Sequence, residues 1–119
     1  MANKKRILRS RADTLWFHLI IKVHPNCESC GKPSQQAHHF FSKGLFPELR
    51  YNLDNGIGIC MSCHFLLTHR GDPRTHQNII EKRGWKWYKE LEAKSKIKLR
   101  SFQTIAYYQK VIEDLKNGI

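Results

Sequence analysis

The chain has 119 residues, the length of one ordinary domain, and its 21 lysines and arginines outnumber 10 aspartates and glutamates, which gives a net charge of +11 with neutral histidines. No stretch of the sequence approaches the ~18 apolar residues that a membrane-spanning helix needs, so the pattern excludes an integral membrane protein of that kind. A field this positive favours a polyanionic partner, above all nucleic acid, over the alternative that scattered lysines only keep the protein soluble.

The N-terminal part predicts a helix after a polar start. Residues 1–12 are basic and either lie along phosphate as an arm or begin the first helix in solvent, and we favour the second interpretation. Asp13 is the predicted N-cap of this helix, at about 13–23, which His24-Pro25 ends. No small-residue cleavage site follows the apolar part, so we expect no secretory signal and a cytoplasmic location.

Two cysteine pairs, Cys27-x-x-Cys30 and Cys60-x-x-Cys63, have the spacing of a zinc site. Thiols stay reduced in the cytoplasm, so pairs of this kind indicate metal binding rather than disulfides. Four thiolates complete a closed tetrahedral shell, and the predicted Zn²⁺ is therefore structural and not catalytic. A redox function explains either pair alone but gives no reason for the other.

The region between and after the cysteine pairs alternates short strands with helices. Residues 36–42 suit a strand, 44–52 a loop with at most one helical turn, and 57–60 a second strand after the Asp54-Asn55-Gly56 turn. Helices are predicted at 61–70, closed by Gly71, at 74–82, and at 85–96. Ser101 is the predicted cap of a last helix that ends before Gly118.

Three histidines and an asparagine stand in register with the cysteines. His38 and His39 lie between the two pairs, Asn55 precedes Cys60 by five residues, and His64 directly follows the second pair. In this order the chain resembles the HNH endonuclease family over about residues 27–69. The resemblance implies an α+β fold, a small ββα-metal (HNH) core with a structural zinc surrounded by several α-helices.

One HNH endonuclease domain over residues 1–119 is expected from this resemblance. It would comprise the N-terminal helix at about 13–23, the zinc and HNH core at 27–72 and a C-terminal helical part at 73–119.

The resemblance also implies a role for each of these residues. His38 resembles a metal ligand on the first strand, His64 a ligand on the helix, and His39 the general base. Asn55 resembles the residue that holds the loop and orients the base through its backbone. A neutral imidazole suits proton abstraction from water near pH 7, and a catalytic divalent cation (Mg²⁺, Mn²⁺, Ni²⁺ or Co²⁺) would stabilise the charge on the phosphate. Any one of these histidines alone would be interpreted as an ordinary structural residue.

The third ligand of the catalytic cation is less well defined. Some family members carry a second helix histidine four residues after the first, where this chain has Thr68. His69 comes one residue later, about 140° around the helix from His64, and joins the site only if the helix bulges or ends there. Otherwise it is a surface histidine. His18, His24 and His76 fall outside the motif and are expected to be packing or surface residues.

The expected activity is hydrolysis of DNA phosphodiester bonds that leaves 5'-phosphate and 3'-hydroxyl ends. A looser similarity to phage recombination nucleases suggests branched DNA, while duplex nicking or genome packaging with phage proteins fits equally well. The rival hypothesis is a non-catalytic zinc-binding module for nucleic acid. The candidates for phosphate contact are the basic residues around the site: Lys43, Arg50, Arg70, Arg74, Lys82 and Arg83.

Overall fold

The computed structural model describes residues 3–118, which fold into helices around one small sheet. Met1 and Ala2 of the predicted arm, and the last residue of the predicted domain, lie outside this range. The α+β class is confirmed. The elements in chain order are α1 (Lys4–Val23), β1 (Gln36–His39), β2 (Gly56–Ile59), α2 (Met61–Arg70), α3 (Arg74–Arg83), α4 (Trp85–Ser95) and α5 (Ile105–Lys116).

The two strands form an antiparallel hairpin that leads directly into α2. His38 pairs with Ile57 and His39 with Gly56, and every residue of β2 is buried. Two short 3₁₀ turns, Pro47–Leu49 and Leu53–Asn55, occupy the connection between the strands. A hairpin of this size has little stability of its own, so its position depends on what packs against it.

Helix α1 begins nine residues before the predicted cap. The Asn3 side chain accepts a hydrogen bond from the Arg6 N–H at 3.2 Å and caps the helix, so the assignment of Asp13 as N-cap is wrong. Asp13 lies inside α1, because the lysine, arginine, leucine and alanine residues before it are good helix formers.

Trp16 and Ile20 of α1 are buried with Leu115 of α5. A Cβ atom on Gly56 would lie 3.0 Å from the Trp16 ring and closer still to Ile20, so only glycine allows the sheet to approach α1 this closely.

Other predicted boundaries shift for local reasons. Strand β1 ends at His39 rather than at Ser42, because the chain turns at Phe41, where the Asn55 side chain binds its backbone. The last helix is capped by Thr104, whose hydroxyl accepts from the Tyr107 N–H at 3.1 Å, and not by Ser101. Helix α2 has the predicted bounds, and Gly71 ends it in the left-handed conformation at φ 61°.

A buried ion pair joins the turn of the first cysteine pair, residues 27–30, here called the first cysteine knuckle, to the sheet and to α3. Arg83 donates from Nε to Glu28 Oε1 at 2.6 Å and from Nη2 to Oε2 at 2.7 Å. The same carboxylate accepts from the Gly58 N–H at 3.0 Å, while Arg83 also donates to the carbonyl groups of Asp54 and Gly56. Arg83 is therefore occupied inside the protein, and its prediction as a phosphate contact is wrong.

None of the helices among residues 3–118 combines the length and the apolar character needed to cross a membrane.

Replacing Arg83 by methionine leaves the Glu28 carboxylate buried without its partner. We expect the free energy of unfolding to fall by about 3–5 kcal/mol, the usual cost of breaking a buried ion pair from one side. Urea denaturation of the zinc-loaded protein followed by circular dichroism measures the loss. Lys110→Ala is the control, since it removes an exposed pair with Asp114 and should leave the unfolding midpoint unchanged. Equal midpoints for R83M and the wild type would contradict the structural role of the pair.

Candidate functional site

The four cysteines predicted as metal ligands lie close together. In the part of the chain that the structure describes, they are the one group of three or more Cys, His, Asp or Glu side chains whose ligand atoms all lie within 4.8 Å of one another. The sulfur atoms of Cys30 and Cys60 are 3.5 Å apart, close to the spacing of about 3.8 Å expected around a tetrahedral zinc with Zn–S bonds of about 2.3 Å. The cluster can hold a metal ion such as zinc.

Local backbone geometry favours the thiolate at Cys27, whereas burial raises the pKa of the Cys63 thiol. Burial opposes ionisation of Cys27, but hydrogen bonds from the backbone at Cys60, Cys30 and Ser29 outweigh it and lower the pKa of Cys27 to about 7. Cys60 caps α2, and its sulfur accepts from the Cys63 N–H at 3.5 Å. Four thiolates at this spacing repel one another unless a cation lies between them, so the donor set suits a divalent metal.

The predicted histidines line a cleft of about 380 Å³ between α1, the hairpin and α2. The side chains of His38, His39 and His64 are all at its wall, so the fold brings together three residues that are up to 26 positions apart in the sequence. The remaining lining residues are Asp13, Trp16, Phe17, Ala37, Ser42 and Lys43.

The His39 ring is held by two contacts, one on a ring face and one on a ring nitrogen. Its ring stacks on Trp16 with centroids 4.0 Å apart and planes 7° apart, and its Nε2 lies 2.9 Å from the Arg50 carbonyl oxygen. A carbonyl can only accept, so Nε2 carries the proton and Nδ1 is the basic nitrogen. Burial lowers the pKa of His39 to about 4 despite the hydrogen bond to Arg50, and the imidazole is neutral at pH 7.

Asn55 holds the loop between the strands, and the His39 ring itself is held by the carbonyl of another residue. Asn55 is fully buried, and its side chain accepts from the Phe41 N–H at 2.7 Å and donates to the carbonyl groups of Phe41 and Leu49. Its own carbonyl accepts from the Phe40 N–H at 2.9 Å. The carbonyl that accepts the hydrogen bond from His39 Nε2–H belongs to Arg50, which follows the first 3₁₀ turn.

His38 has two imidazole neighbours. Its ring centroid lies 5.6 Å from that of His64, and its Nε2 lies 3.4 Å from Nε2 of His76. Burial, then the proximity of His76 and His64, lowers the pKa of His38 to about 3. Burial also lowers the pKa of His76 and of His64. All three rings are therefore neutral at pH 7, the form in which imidazole binds metal ions.

His76 is the site residue that the sequence did not reveal. Predicted to be a packing or surface residue, it lies half-buried between Phe40 and His38. The residue spacing contains no signal for it, because the contact depends on how α3 packs against β1. His69, in contrast, is exposed at the end of α2 and stacks on Phe65 with centroids 4.9 Å apart.

The residues predicted to contact phosphate differ in exposure and in whether they already form an ion pair. Lys43 is exposed at the cleft, and Arg70 is exposed beside the Phe65 ring. Arg50 is engaged within the protein, since its Nε and Nη2 bind Asp13 at 2.9 and 2.7 Å, and a phosphate must compete with that carboxylate. Arg74 is exposed but paired with Asp72 at 2.7 Å, so a phosphate must compete for it.

Asp13 anchors Arg50 from inside α1. Burial alone would raise the pKa of this carboxyl, but hydrogen bonds from Arg50 and Tyr51 and the charge of Arg50 lower it. The carboxylate thus fixes the residue whose carbonyl holds His39.

Comparisons of this chain with protein-family models, with curated proteins and with solved structures gave no match. The resemblance to the HNH family therefore depends on the order of the cysteines, histidines and asparagine alone.

Removing one cysteine should release the metal. Cys30 is the exposed member of the cluster, so Cys30→Ala deletes a ligand with little loss of core packing. We expect bound zinc to fall from ~1 per chain to a minor fraction, since three thiolates no longer close the shell. Elemental analysis after dialysis against a mild chelator measures this, with Lys32→Ala in the same turn as control. Zinc retained in full by C30A would rule out the four-thiolate site.

Proposed function

We propose that the protein is a metal-dependent endonuclease that hydrolyses phosphodiester bonds of DNA, nicking or cleaving it to leave 5'-phosphate and 3'-hydroxyl ends. The observation that carries the proposal is the arrangement of His39, whose Nδ1 is the basic nitrogen, in one cleft with His38 and His64. The order of these residues along the chain supports the same conclusion.

His39 acts as the general base in this proposal. Its Nε2–H is engaged by the Arg50 carbonyl, and the stacked Trp16 ring prevents the imidazole from tilting. A base must be unprotonated to accept a proton from water, and burial keeps His39 in that form at neutral pH. Asn55 supports the base indirectly by fixing the turn at Phe40 and Phe41.

His38 and His64 would hold the catalytic divalent cation. When bound, that cation supplies Lewis-acid stabilisation of the charge that develops on the phosphate and the leaving oxygen. Imidazole nitrogens are softer ligands than carboxylates, so we expect Mn²⁺, Co²⁺ or Ni²⁺ to support the reaction no less than Mg²⁺.

Lys43 and the overall charge favour a nucleic-acid substrate. Lys43 is exposed at the cleft, where its ammonium group can contact the phosphate next to the one attacked. The net charge of +11 raises the rate of encounter with any polyanion. Both features fit duplex and branched DNA equally, and they also fit the rival hypothesis, a zinc-binding nucleic-acid module without catalysis.

A plasmid-relaxation assay with Mn²⁺ or Mg²⁺ separates the two hypotheses. His39→Ala should lower the nicking rate by about 10²–10⁴-fold, the usual contribution of a general base, while DNA binding in a gel-shift assay stays near that of the wild type. His18→Ala is the matched control, since His18 is exposed on α1 and should nick at the wild-type rate. DNA binding without nicking by the wild type under any metal would favour the non-catalytic module.

A further inference from the structure

We infer that His76 of α3 is the third protein ligand of the cation held by His38 and His64. The assignment rests on the proposed function and completes its metal site from an element outside the ββα hairpin and helix. It also supplies a ligand in place of Thr68, the residue one turn after His64 where some HNH proteins have a second histidine. The Thr68 hydroxyl instead donates to the His64 carbonyl at 2.8 Å.

The spacing of two nitrogen atoms carries the inference. Nε2 of His38 and Nε2 of His76 are 3.4 Å apart. Two imidazoles on one tetrahedral ion with metal–nitrogen bonds of about 2.1 Å have their ligand atoms about 3.4 Å apart. The same distance is long for a hydrogen bond donated by an N–H group, since N–H···O bonds in proteins are about 2.7–3.2 Å long. The geometry therefore suits a shared cation better than a bond between the two rings.

The protein holds His76 in this position from the other side. The Phe40 ring stacks on it with centroids 4.3 Å apart and planes 27° apart. Thr75 and Ile79 of the same helix are buried, and Arg83 at its end is tied to Glu28. A ligand fixed by packing in this way loses little side-chain entropy when the metal binds.

His64 completes the set by turning its side chain. Its ring centroid is 5.6 Å from that of His38, and it is only half-buried on α2, so a change of rotamer meets little resistance. His69 cannot take the place of His76 as easily, because it is exposed and stacked on Phe65. Three imidazoles favour a borderline cation such as Co²⁺, Ni²⁺ or Zn²⁺.

Calorimetric titration of the zinc-loaded protein with Co²⁺ tests the assignment without any assay of activity. We expect one Co²⁺ to bind beyond the zinc, and His76→Ala to weaken that binding at least about tenfold, the smallest loss usual even for outer-sphere partners of a metal. His76→Phe keeps a ring against Phe40 without a nitrogen and should show the same loss, which separates ligation from packing. His69→Ala is the control and should bind like the wild type.

Visible absorption of the bound Co²⁺ and zinc content accompany each titration, so that an unfolded variant or an exchanged zinc is recognised. Wild-type affinity in both His76 variants, with loss of binding in His38→Ala, would overturn the assignment while leaving the proposed cation in place. Loss of affinity in H69A but not in H76F would make His69 the third ligand instead. If His38→Ala also binds like the wild type, the proposed cation site itself fails, and the His76 assignment fails with it.

Discussion

The buried pair between Glu28 and Arg83 is the interaction on which the arrangement of the site depends. It joins the first cysteine knuckle, strand β2 and the end of α3, and it uses both carboxylate oxygens and most of the guanidinium donors. A hairpin of two four-residue strands cannot hold functional groups in register unaided. With the pair in place, the cysteines, the strand that carries His38 and the helix that carries His76 keep fixed relative positions.

Helix α1 performs a second positioning task, for the His39 side chain. Trp16 forms the surface on which His39 stacks, and Asp13, one turn earlier, binds the Arg50 guanidinium. The carbonyl of the same arginine accepts the hydrogen bond from His39 Nε2–H. The helix thus controls both the tilt of the imidazole and the choice of tautomer, and the requirement for glycine at position 56 shows how closely it approaches the sheet.

Two clusters of side chains in this small protein suit two different tasks. The cysteines form a closed set of four sulfur atoms at the start of α2, which suits a structural ion because no position is left for substrate. The histidines line an open cleft, and in the proposed function this cleft would leave room for water and phosphate beside the cation. The same helix bears Cys63 and His64 in succession, so an ion on the cysteines would also fix the second site.

The amino-acid sequence by itself determined the features that depend on neighbouring residues. The α+β class, the bounds of α2 with Gly71 at its end and the meeting of the four cysteines follow from turn chemistry and ligand spacing. Other contacts between distant segments were decided only by the tertiary structure, because their side chains, unlike the two matching cysteine pairs, leave no shared pattern in the sequence. The sequence alone predicts Asp13 as a cap, Arg83 as a phosphate contact and His76 as a residue outside the motif. In the structure Asp13 pairs with Arg50, Arg83 pairs with Glu28, and His76 lies against His38.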